Sequence, residues 1–119
     1  MNSDFILAYD ADKDLFPCCY PRYQIQRAET HFFENFQNNA NRGKDTLIKI
    51  YDENFKVAKS GYKLLTEFVS VLNHLLWIHY DLGHKEMSEF YNELWSKTHG
   101  YAMDTLQDDE LKFYMMVLD

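Results

Sequence analysis

The rhythm of apolar positions is densest between Ser60 and Gly83. There Leu64, Leu65, Phe68, Val69, Val71, Leu72, Leu75, Leu76, Ile78 and Leu82 cover most of the circumference of a helix. A helix that is apolar on nearly every side must be packed on more than one of them. The spacing therefore predicts a central buried helix over 61–83, with Ser60 as its N-cap and Gly83 as the left-handed residue past its end. A single polar stripe crosses it, formed by Lys63, Glu67, Ser70, His74, Trp77 and Asp81.

Either side of this segment the pattern is amphipathic. Met87, Phe90, Tyr91, Leu94 and Trp95 recur at helical spacing within Lys85–Thr98, and Gly100 is expected to stop that helix. A last helix is expected from Asp108, which can cap it, with Asp109 and Glu110 in its positive first turn. Leu111, Tyr114, Met115 and Leu118 form its apolar face. Upstream, Pro21 suits a first helical turn, and Ile25, Ala28, Phe32 and Phe36 follow in helical register as far as "NNANRG". Two stretches read as β. "FILAY" (Phe5–Tyr9) is a short apolar run that suits a strand. In "TLIKIYDENFKVAK" Leu47, Ile48, Ile50 and Tyr51 could form a helical stripe, but the polar break "DEN" between two β-rich runs reads better as a hairpin, which is expected over 46–59. The expected architecture is one α+β domain over 1–119, predominantly helical, with about four helices around the central one, the small hairpin and an N-terminal strand.

Composition agrees with a folded domain. Aromatic residues make up 17% of the 119, far above what disordered chains carry, and the length suffices for a real core. Thr66, Glu67, Ser70, Asn73, His74, His79 and Asp81 interrupt the apolar segment Leu64–Leu82, so it does not read as a membrane span. "MNSDFILAYD" places no basic residues ahead of its apolar run, as a signal peptide would. The two cysteines are adjacent, Cys18–Cys19, a spacing that rarely suits a disulfide, and a reducing, cytoplasmic setting is expected.

The net charge of −7 is unevenly spread. From Asp81 to Asp119 there are nine acids against three bases, whereas the first 80 residues are near neutral with ten acids and nine bases. Direct binding of nucleic-acid phosphate by the C-terminal third is thereby disfavoured, while a basic protein partner becomes attractive.

Candidate chemistry starts with the histidines of "NHLLWIHYDLGHKE". His74, His79 and His84 are spaced by five, and five residues rotate a helix position by about 140°. Metal-binding helices use spacings of three or four, so these imidazoles are expected to splay apart, the more so as Gly83 ends the helix before His84. No metal or cofactor is expected. "DADKD" fails as a calcium loop, because the sixth residue from Asp10 is Leu15 and the twelfth is Pro21. "FILAYDAD" resembles the opening motif of haloacid dehalogenase-type phosphatases. That resemblance would make Asp10 the nucleophile and Asp12 the acid/base, with Asp108 and Asp109 as magnesium ligands. It covers about eight residues. Asp14 stands where that family has Thr or Val, and no parallel-sheet pattern follows. The chain holds neither a G-x-G-x-x-G nor a phosphate loop.

The feature that remains is Trp77, a tryptophan on the polar stripe between His74 and Asp81. The first expectation is that the N-terminal segment covers it; the other is that it is presented to a partner, tryptophan being enriched at binding hot spots. The leading expectation is a small acidic non-enzymatic protein that binds another protein through Trp77, His74, Asp81, Glu86, Glu89 and Glu93. In its concrete form it blocks a basic nucleic-acid-binding surface, and in size and charge the chain is similar to the anti-restriction and anti-CRISPR inhibitors of phages and mobile elements. A homodimer is compatible with the same features. The alternative expectation is a small metal-assisted hydrolase using Asp10, Asp12 or the histidines.

Overall fold

The structure, a computed structural model, describes residues 30–118. In chain order these form α1 (residues 30–37), a 3₁₀ turn at Ala40–Arg42, α2 (Lys44–Ala58), α3 (Tyr62–Asp81), α4 (Lys85–Thr105) and α5 (Asp108–Leu118). Helix α3 packs against α2, α4 and α5, so the expected central helix is present. Leu64, Leu65, Phe68, Val69, Val71, Leu72 and Leu75 are all buried on it.

The α+β expectation is overturned. Among the described residues there is no strand, and the 46–59 segment read as a hairpin is the body of α2. The reason lies in a stripe that the break "DEN" obscured. Leu47, Tyr51, Phe55 and Ala58 fall at i, i+4, i+8 and i+11 and are buried together against the core. Asp52 and Glu53 are the exposed side of the same turn. Asn54, which in isolation favours turns, is satisfied as a helical residue. Its Nδ2 donates to the Ile50 carbonyl at 2.7 Å, and its Oδ1 accepts from Asn35 Nδ2 at 2.8 Å. That removes the local competition by which asparagine ends helices. The expected strand Phe5–Tyr9 lies outside the described residues.

Phe68 is the centre of the core. Its ring lies 5.1 Å from Phe32, 5.5 Å from Tyr51, 5.9 Å from Phe55 and 6.3 Å from Phe36, so α1 and α2 both close on α3 at this one residue. Aromatic pairs at these separations add about 0.5–1.5 kcal/mol each beyond their buried area. Of the buried polar side chains, Asn54, Thr66, Ser88 and Thr98 each donate to a backbone carbonyl. Thr98 Oγ1 donates to the Leu94 carbonyl at 2.7 Å and accepts from the Tyr51 hydroxyl at 2.6 Å, joining α2 to α4. Burial pushes the Tyr51 phenol above its ordinary pKa, which keeps it protonated and able to donate. Glu67, placed by its spacing on the polar stripe of α3, is fully buried.

Two expected helix ends also move. Gly100 does not stop α4, which runs through it to Thr105. The apolar face continues past the glycine with Ala102, which is completely buried, and Leu106 just beyond the helix is buried too. That packing outweighs a glycine penalty of about 1 kcal/mol. Ser60 does not cap α3. The N-cap residue is Gly61, and Ser60 Oγ instead donates back to the Val57 carbonyl at the end of α2. Gly83 behaves as expected, with φ +76°. Its N–H donates to the Tyr80 carbonyl at 3.1 Å, and the His84 N–H donates to the His79 carbonyl at 2.8 Å. This is the Schellman pattern that closes a helix through a left-handed glycine.

Candidate functional site

The three acids picked out on α4 fall on one side of the helix, at i, i+3 and i+7. The structure brings all three to one open cleft of about 410 Å3 between the start of α2 and the first half of α4. Glu86, Glu89 and Glu93 share this cleft with Asp45 and with the apolar side chains of Ile48, Phe90 and Leu94. Among the described residues Lys44 is its one cation, so four carboxylates there face a single ammonium. Lys44 Nζ meets Glu86 Oε1 at 2.5 Å, and this hydrogen bond and charge hold the Glu86 carboxyl below the usual carboxylate range. Both side chains are exposed, and such pairs contribute little to stability. Lys44 therefore acts as a replaceable counter-ion.

A second cleft, of about 380 Å3, adjoins the first. It is lined by Tyr80, Gly83, Lys85, Ser88 and Glu89, and Glu89 belongs to both. Tyr80 leads from there to the third feature, packing edge-to-face on Trp77 with ring centroids 5.3 Å apart. Trp77 is 52% exposed, Tyr80 63% and Leu82 63%. No described element covers Trp77, and the N-terminal segment expected to cover it lies outside the described residues. His74 and Asp81, one turn to either side of Trp77, are exposed as well. The six residues singled out in the sequence therefore fall on two adjacent features, an acidic cleft and an aromatic strip, joined through Glu89 and Tyr80. The sequence pointed to the Glu cluster through the excess of acids after Asp81, and its i, i+3, i+7 spacing is the further signal that places the three on one face. Lys44, Ile48 and Tyr80 were not anticipated, because their part depends on where α2 and the end of α3 come to rest.

The histidines depart from expectation. His79 and His84 do not splay apart: their Nδ1 atoms are 3.3 Å apart and their ring centroids 5.5 Å. Rotation along a continuous helix was the wrong rule for this pair, because Gly83 folds the chain back. In a Schellman turn the residue after the glycine returns over the third residue from the helix end, and those residues are His84 and His79. The His79 ring stacks on Tyr91 at 5.4 Å and 17°. Burial, and then the neighbouring His84, lower the His79 pKa. Among the described residues, no third His, Cys, Asp or Glu groups with the pair into a three-ligand metal site. His99 has a packing role, stacked on Trp95 at 4.8 Å with its Nδ1 2.5 Å from the Tyr114 hydroxyl.

Asp10, Asp12 and the Cys18–Cys19 pair lie outside the described residues. Asp108 and Asp109 open α5 at the surface, Asp108 with φ +53°. Among the described residues, no helix is long and apolar enough to cross a membrane. No protein-family model matches the chain, and no curated protein or solved structure matches it either.

Proposed function

We propose that this chain is a non-enzymatic binding protein that docks a basic protein surface into the cleft between α2 and α4. The observation that carries this reading is the meeting of Glu86, Glu89 and Glu93 with Ile48, Phe90 and Leu94 in one open cleft. Carboxylates on an apolar floor suit Lys and Arg side chains, whose long stems bury while their charged ends pair. The adjoining Trp77–Tyr80 strip supplies aromatic area of the kind found at binding hot spots. Basic surfaces of this character are those with which proteins hold nucleic-acid phosphate. Occupying one would inhibit its owner, as an inhibitor carried by a phage or other mobile element does.

The test uses the full chain as bait in extract of its native host. Captured proteins are identified by mass spectrometry and binding is then measured with the purified partner. The expected result is a basic nucleic-acid-binding protein whose affinity falls steeply with added salt, and falls at least tenfold more on combined Glu86→Lys, Glu89→Lys and Glu93→Lys replacement. A partner held equally well by the charge-reversed chain would overturn the proposal.

A further inference from the structure

We propose that His79 and His84 together form an open binding site for a divalent transition-metal ion, zinc foremost, seated on the turn between α3 and α4 and coordinated through both Nδ1 atoms. Two nitrogens bound to one tetrahedral zinc at about 2.0 Å stand about 3.3 Å apart. The two Nδ1 atoms are already 3.3 Å apart. No backbone rearrangement is needed to reach a ligand–ligand edge of that length.

Three features hold the pair in place. The Schellman turn fixes the backbone on both sides, through the 2.8 Å bond from the His84 N–H to the His79 carbonyl. Gly83, at φ +76°, is the residue that permits this turn. The face of the His79 ring rests on Tyr91, which fixes the plane of that ring. His84 is exposed, which gives an ion a path from solvent.

The proton arrangement is compatible. Two neutral imidazoles facing each other through Nδ1 can share one proton between those atoms. Coordination requires both Nδ1 lone pairs, so each ring then carries its proton on Nε2, and the ion takes the shared proton's place. Imidazole donors suit zinc, copper and nickel more than magnesium or calcium. Two histidines leave two tetrahedral positions for water or for a donor from a partner. This site is independent of the acidic cleft and stands or falls separately from the proposed function.

The test is calorimetric titration of zinc chloride into the chelator-stripped full chain. The wild type is expected to take up one equivalent, and His84→Ala to weaken that binding by about tenfold or more. His84 is exposed, so its replacement leaves the core intact. His74→Ala is expected to bind as the wild type does. Long-range proton–nitrogen NMR spectra should show the Nδ1 resonances of His79 and His84 shifting on zinc addition, with both rings ending as the Nε2–H tautomer. Absence of stoichiometric uptake would overturn the proposal. So would uptake indifferent to His84→Ala, or shifts confined to His31, His74 or His99.

Discussion

The two halves of α3 are similarly apolar and meet different surroundings. From Leu64 to Leu75 every residue but Ser70, Asn73 and His74 is buried, even Thr66 and Glu67. From Leu76 onward Trp77, Tyr80 and Leu82 stand in solvent, and Ile78 and His79 are only half covered. Neighbouring elements make the difference. Around the first half, Phe32, Phe36, Tyr51 and Phe55 close on Phe68, and Phe113 of α5 meets Tyr62 edge-on at 5.3 Å. The second half is met by the first turns of α4, where Ser88 Oγ donates to the Leu76 carbonyl at 3.2 Å. Apolar content alone does not tell interior from presented surface. The exposed aromatic residues on this otherwise well-packed helix are the part that the proposed partner would reach.

This contrast can be broken at its buried end first. Phe68→Ala is expected to destabilise the chain by about 3–5 kcal/mol, measured by chemical denaturation, because it empties the point where three helices meet. A loss below about 1 kcal/mol would mean that Phe68 does not organise the core. Tyr51→Phe removes the hydrogen bond to Thr98 and leaves that hydroxyl's donation to Leu94 intact, so a loss of about 1 kcal/mol is expected in the same assay. Gly100→Ala should stabilise by about 0.5–1 kcal/mol, since a Cβ there meets nothing within 4 Å and the residue is helical.

At the presented end the expected effects on stability are smaller. The double replacement Trp77→Ala and Tyr80→Ala should change the denaturation midpoint by no more than about 0.5 kcal/mol while costing partner affinity at least tenfold. Loss of both stability and affinity would show that the strip is structural. The smallest effect is that of pH. The folded-state pKa of His79 lies below the ordinary 6.5 of the unfolded chain, so the unfolded chain takes up the proton first on acidification. Stability in the presence of chelator should therefore decline as pH falls below 6.5, and the decline should shrink in His79→Gln. An unchanged pH slope in that variant would remove His79 as its source.

Much of the helical framework was legible in the sequence. The all-round apolar run of α3, the stripe Met87–Tyr91–Leu94 and the acidic opening of α5 each contain their own answer. The 46–59 segment was misread because β-rich composition and "DEN" are local signals. The i, i+4, i+8 run of Leu47, Tyr51 and Phe55 acquires its meaning from Phe68 on another helix. Gly100 was misread for the same reason, since Ala102 beyond it is held by tertiary packing. The acids of the site were visible as a helical stripe, but their apolar floor is supplied in part by Ile48 of α2. The histidine pair was missed because the turn at Gly83 reverses the direction that helical rotation assigns to His84.

The unbroken course of α4 through Gly100 has a mechanical consequence. One rod of 21 residues carries the acids near its start and Thr98, His99 and Ala102 near its end, where they are locked into the interior. Because the helix is continuous, the backbone that bears the carboxylates is tied to the body of the molecule, and it is their exposed side chains that would remain to be ordered when the proposed partner binds.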